Sequence, residues 1–254
     1  MDILKTYFLW FIVYSMIGWI YESIICSIGQ QKLVNRGFLN GPYCPIYGFG
    51  AIIDIMILGK LENTVLIFFL GAILACSLEY FTSWAMEKLF HARWWDYSSR
   101  RFNFKGRICL LGAIVFGTLS AVLIKIIHPV VYSYTYRIQE STLNVLSLAL
   151  FIIFLSDTVY TVAKLSKFEE KLKELSYHMN DLINGDHGYK KLILEKIKDI
   201  EIYEEGNLIH NNILKRLNFQ EKRILKAFPK LRSLRYNAAL QKVRELIEKA
   251  DNNK

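Results

Sequence analysis

Apolar residues form five long runs over the first two-thirds of the chain and a periodic scatter over the rest. A hydrocarbon core about 30 Å thick is crossed by roughly 20 apolar residues in a helix, because unpaired backbone groups are too costly there for any open structure. Runs at about residues 3–28, 64–87, 108–128 and 142–164 reach that length. The run at 43–59 is marginal: it is opened by Pro42 and Pro45 and holds Gly48, Gly50 and Gly59, so a re-entrant segment is the alternative to a full span. The first run continues through Trp19 and Glu22 to Ile28 without a small-residue cleavage pattern, and reads as a retained helix rather than a signal peptide. From Ser166 onward apolar residues recur at helical spacing, as in Leu192, Ile197 and Ile200 and again in Ile213, Leu217 and Ile224. A turn is predicted over Asn184–Gly188 and a helix break at Pro229. The expected fold is all-α: a polytopic membrane unit of about five transmembrane helices over residues 1–165, then a cytosolic amphipathic, coiled-coil-like tail over residues 166–254.

Charge gives this pattern a direction. Residues 1–163 carry 12 Lys/Arg and 9 Asp/Glu, and residues 164–254 carry 20 and 14, which reconciles a net charge of +9 with 53% hydrophobic residues. The loop after the first run has Lys32 and Arg36, and the loop after the third has Lys88, Arg93, Arg100, Arg101, Lys105 and Arg107. The intervening turn has only Lys60 with Glu62. The stretch after the fourth run is rich in tyrosine (Tyr132, Tyr134, Tyr136), as an outer aromatic belt is. An odd number of spans then places the N terminus outside and the tail in the cytosol, where its basic residues face anionic lipid. The cysteines Cys26, Cys44, Cys76 and Cys109 lie in or beside apolar runs without a C-x-x-C pair, so neither a zinc site nor a disulfide scaffold is expected.

The chain also matches itself. A gapless shift of 65 residues aligns Trp19, Glu22, Arg36, Gly41 and Cys44 with Trp84, Glu87, Arg101, Gly106 and Cys109. With the orientation above, both copies run outside to inside to outside, as parallel hairpins related by an axis along the membrane normal, and a site between them is the natural expectation.

Candidate chemistry follows from the cost of placing ionisable groups in hydrocarbon, which makes them face partners or water. Glu22, Glu79 and Asp157 all fall in the inner part of their helices, Asp54 lies nearer the middle, and Glu79, Ser83 and Glu87 share one helical stripe. Glu22, Glu79, Glu87 and Asp157 are therefore the candidate intramembrane site, with ion pairs to the loop arginines as the plainer explanation. The segment Trp94-Trp95-Asp96-Tyr97 with Arg101, Asn103 and Arg107, together with Arg36 and Asn40 of the other loop, supplies the groups that bind an anionic headgroup; interfacial anchoring is the competing explanation. No phosphate-binding loop, H-E-x-x-H pattern or G-x-S-x-G elbow is present, so no catalytic residue or metal site is assigned and no cofactor is expected. Aromatic residues of the basic tail form no stacking platform, and nucleic acid is not an expected partner.

The segments Asn35–Gly50 (NRGFLNGPYCPIYGFG) and Glu79–Tyr97 (EYFTSWAMEKLFHARWWDY), and Gly106-Arg107-Ile108-Cys109, are specific enough to carry a family resemblance. Over about residues 5–165 the chain resembles the CmpB-like, ABC-transporter type IV permeases of bacteria, and Phe228-Pro229-Lys230-Leu231 with Arg235-Tyr236 resembles the tails of that family's longer members. The resemblance implies a bacterial plasma-membrane permease-like subunit of unassigned substrate, with the lipid bilayer, a separate ATPase subunit and a second copy of the chain as expected partners. Two other functions compete on the residues alone: an enzyme or lipid-binding protein acting on an anionic headgroup at the inner leaflet, and a membrane scaffold or regulator working through its tail.

Overall fold

The computed structural model describes residues 2–184 and 217–252. The periodic stretch from Leu192 to Ile213 and the turn residues Gly185–Gly188 lie outside them. The described residues form an all-α membrane protein in which four helical segments are long and apolar enough to cross a bilayer: Ile3–Gln30 (α1), Thr64–Phe90 (α3), Leu110–Tyr136, and the segment beginning at Glu140. The Leu110–Tyr136 segment is composite, with α4 (Leu110–Val122), a π-helical turn at Leu123–Ile127 and α5 (His128–Tyr136). The π turn has a local cause. Pro129 lacks an N–H and disturbs the regular ladder, and the His128 N–H reaches back to Leu123 O. The last span is α6 (Glu140–Leu165), followed after Ser166–Lys167 by α7 (Phe168–Asn184).

The marginal second run forms a short helix and not a full-length span. It forms α2 (Pro45–Leu58), a helix of 14 residues, about 21 Å long and so too short to cross alone. The loop before it makes up the distance. Cys44, the N-cap of α2, donates its N–H to Ser15 O at 2.9 Å, and Ser15 lies ~22 Å along α1 from its end at Gln30. Residues 31–44 thus fold back into the bundle and hand the chain to a half-length helix. Close packing of α2 on α1 depends on Gly48, where a Cβ would lie 2.6 Å from Phe11 O and 2.2 Å from Ser15 Oγ.

The second hairpin repeats the plan. α3 ends in a left-handed residue, His91, as α1 ends in Gln31. The loop folds back, and α4 starts from the N-cap Cys109, beside the middle of α3, where a Cβ on Gly112 would lie 4.0 Å from Glu79 Oε2. The two N-cap cysteines are the pair that the 65-residue shift aligns. Loop 91–109 contains a short antiparallel ladder of β2 (Asn103–Phe104) with β3 (Ile108–Cys109). Three residues join the paired Phe104 and Ile108, and Lys105 and Gly106 both have positive φ in a tight turn closed by the Arg107 N–H donating to Phe104 O at 3.1 Å.

Residues 217–252 form a small unit that docks onto these loops. α8 (Phe219–Ala227) starts with a full capping box between Asn218 and Glu221, and α9 (Asn237–Asn252) packs on α7. Between them β4 (Arg232–Ser233) pairs antiparallel with β1 (Ala92–Arg93), and Leu234 donates to His91 O at 3.0 Å. Trp94, Leu165, Leu172, Ile224, Phe228 and Leu240 share one buried cluster. The terminal unit, α7 and the loop ends therefore have a common core.

Candidate functional site

The two hairpins flank a half-open cavity of ≈ 440 Å³, within the range of small-molecule sites. One end lies between Asp54, Ser120 and the π turn, and the other is bounded by Arg36, Trp94 and Phe228. Its wall is mainly apolar and aromatic, with Glu22, Asp54 and Glu79 as its carboxylates. The π turn contributes Leu123 and Ile127 to this wall, so the irregularity in the helix shapes the cavity.

Each hairpin delivers a carboxylate and a tyrosine to hold it. Tyr47, in the first turn of α2, donates to Glu22 Oε1 at 2.6 Å. Gly18 makes room for that ring, since a Cβ there would lie 2.2 Å from it. Tyr97, in loop 91–109, donates to Glu79 Oε1 at 3.0 Å. Burial, and then the Glu79 charge, push the Tyr97 phenol above its ordinary pKa, which keeps it a donor. Glu79 Oε2 is buried and has no hydrogen-bond partner among the described residues.

The remaining predicted residues divide sharply. Arg36 reaches the cavity, with Nε 3.6 Å from Glu22 Oε2, its guanidinium 4.2 Å from the Phe228 ring centroid, and Nη1 donating to Ala227 O. Trp94 and Trp95 line the wall. Glu87 does not: it is paired with Arg107 Nη2 at 2.7 Å and lies 3.6 Å from Arg93 Nε. Arg107 also donates to Ser83 Oγ at 3.3 Å, so the Glu79-Ser83-Glu87 stripe faces protein, and its Ser83–Glu87 half holds a loop in place. Arg101 lies over Phe102 on the exposed rim, and Asn103 braces its own loop through Arg100 O and the Gly106 N–H. The three arginines expected to gather around one anion are thus spread over three places.

Asp157 stands apart from these groups. It shares the inner depth of Glu22 and Glu79 but is not part of the cavity wall. Its oxygens accept from Asn40 N (3.1 Å), Asn40 Nδ2 (2.9 Å), Gly41 N (2.8 Å), Tyr43 Oη (2.7 Å) and Thr161 Oγ1 (3.2 Å). It fastens the folded-back loop to α6. Asp54, by contrast, belongs to the cavity, 5% exposed and hydrogen-bonded to Ser120. Tyr47, Tyr97 and Phe228 have no intramembrane charge to draw attention to them. Tyr97 stood in the Trp94-Trp95-Asp96-Tyr97 segment that the sequence singled out and Phe228 in the tail motif Phe228-Pro229-Lys230-Leu231, without a sign that either reaches the cavity, while Tyr47 was marked by its place just after the folded-back loop.

With the two hairpins and their common cavity described, comparison with known proteins adds one result. A family model described as "Putative ABC-transporter type IV" matches residues 9–162. The chain belongs to that family. The match covers both hairpins and nearly all of α6 and stops before α7, so the ABC-transporter type IV segment contains most of the cavity wall while Phe228 comes from outside it. Neither a curated protein nor a solved structure matches the chain.

The docked unit closes one end of this cavity. Arg223 donates to Gly37 O at 2.8 Å and to Phe38 O at 2.6 Å, Arg232 meets Asp96 at 3.1 Å, and Phe228 stands edge-on to Trp94. Burial works to raise the Asp96 carboxyl, but hydrogen bonds from Ser98 and then Arg232 outweigh it and hold its pKa below 3.8. A lowered native pKa means that the stabilisation is complete above 3.8 and is lost only as pH falls through the depressed value. Arg223→Ala removes both carbonyl contacts, and is expected to raise hydrogen exchange and proteolytic cleavage in residues 217–252 severalfold while α1–α4 keep their protection.

Proposed function

We propose that this chain is a membrane subunit of an ABC-type transport system in the bacterial plasma membrane, and that the cavity between its hairpins holds the substrate. The observation carrying this reading is the cavity itself, built from the two hairpins of a family whose description is a transporter. A site between repeated elements is the arrangement expected of many transport folds. The capped end carries Lys32, Arg36, Arg93, Arg100, Arg101, Lys105 and Arg107, and by the positive-inside rule it faces the cytosol with the N terminus outside. Since the sequence holds no phosphate-binding loop, energy comes from a separate ATPase, for which the exposed basic face of the capped end is the available docking side. The headgroup-enzyme reading loses its phosphate site with the dispersal of Arg36, Arg101 and Arg107.

Native mass spectrometry of the gently extracted protein tests the proposal. It should carry an ATPase and a small bound molecule. A Cβ at Gly50 meets only Leu78 Cδ2, at 3.6 Å, and Gly50 lines the cavity. Gly50→Phe should therefore fill the cavity, abolish retention of the small molecule and leave the ATPase in place. Extraction with neither companion would reject the reading.

A further inference from the structure

We infer that the ligand of this cavity is an organic cation with an apolar body, its positive centre held at Glu79; the inference rests on the cavity being a substrate site. Charge around the cavity is unequal. Among the described residues, three carboxylates face the cavity and Arg36 is the cationic side chain in its wall. Arg36 is already engaged with Glu22, Ala227 O and the Phe228 ring. Glu79 and Asp54 have no cationic partner in the wall among the described residues.

Glu79 is the less satisfied of the two. It is 6% exposed, one oxygen takes the Tyr97 hydroxyl, and the other has no partner among the described residues. A buried carboxylate in that state is costly, and a ligand that supplies the missing positive charge or donor recovers the cost. An anionic ligand would instead meet like charge in a low-dielectric site. The rest of the wall suits such a cation. Tyr21, Trp95 and Phe116 offer aromatic faces, which attract positive charge electrostatically, and the aliphatic lining accepts an apolar body.

Two ions of the same shape and opposite charge decide the matter. Tetraphenylphosphonium and tetraphenylborate are each titrated by equilibrium dialysis into the full-length protein in nanodiscs, with empty nanodiscs to subtract partition into lipid. Saturable binding of tetraphenylphosphonium alone, lost in Gly50→Phe, is the expected result. Glu79→Gln should weaken it by at least about tenfold, Glu79→Asp should restore part of it, and Glu62→Gln, outside the cavity wall, should leave it unchanged. Thermal unfolding of each variant separates lost binding from lost fold. Equal binding of the two ions, preference for the borate, or full affinity in a folded Glu79→Gln would overturn the inference, the last because a protonated, neutral Glu79 needs no cation. Absence of phosphonium binding alongside a native small molecule that Gly50→Phe expels would refute the cation and leave the substrate cavity standing.

Discussion

Asp157→Ala is expected to destabilise the membrane unit by ~3 kcal/mol, the largest effect of any single substitution considered, although Asp157 lies outside the cavity. Five donors converge on this carboxylate, two of them backbone N–H groups of Asn40 and Gly41. Hydrogen bonds to a charged acceptor contribute about 1.5–3 kcal/mol each, and removing the acceptor strands donors in a poorly hydrated place. Burial, and then the Asp157 hydrogen bond, push the Tyr43 phenol above its ordinary pKa, so it cannot ionise to relieve the loss. Asp157→Asn should cost nearly as much, because the amide brings an NH2 group to face donors. The thermal midpoint of the purified protein in mild detergent is the measurement, with Arg101→Ala, a solvent-exposed residue stacked on Phe102, as the control expected to stay unchanged. A stable Asp157→Ala protein would mean that the folded-back loop is held by other contacts.

Gly48→Ala should follow closely, at ~1–3 kcal/mol for overpacking a tight contact. One methyl group there meets Phe11 O at 2.6 Å, and a backbone carbonyl of a neighbouring helix cannot turn aside as a side chain can. α2 must move off α1, taking with it the Cys44–Ser15 hydrogen bond and the Tyr47 hydroxyl that holds Glu22. A drop in thermal midpoint together with loss of cavity binding is therefore expected. Gly29→Ala, on the facing helix α1, supplies the contrast. A Cβ there meets nothing within 4 Å, and the change should be neutral or stabilising by up to ~1 kcal/mol, as the unfolded chain loses freedom.

These two sites show what the sequence could and could not disclose. The apolar runs marked the helices because backbone hydrogen bonding in hydrocarbon leaves few alternatives, and the cost of intramembrane charge marked Glu22 and Glu79. Depth along a helix was legible; direction around the bundle was not. Asp157 has the depth of Glu79 but turns to Asn40 and Tyr43, which depends on a loop path that no periodicity encodes. The 65-residue shift aligned the helices and the N-cap cysteines, yet it misplaced the loop arginine. Arg36 pairs with Glu22 in the first hairpin, whereas in the second the ladder of Asn103–Phe104 with Ile108–Cys109 delivers Arg107, not Arg101, to Glu87. Pairing of Ala92 with Ser233 joins residues far apart through two-residue strands, too short to leave an alternating pattern.

That pairing also sets an order of events during biosynthesis. Both hairpins are translated and inserted well before Phe228 emerges from the ribosome, yet Phe228 is part of the cavity wall. The newly inserted hairpins must hold Glu22, Glu79 and Arg36 in place with one end still unfinished. Only when residues 217–252 arrive and fold back onto loops made much earlier is the cavity wall complete, so a chain arrested before that point is a membrane protein with an unfinished cavity rather than a smaller version of this one.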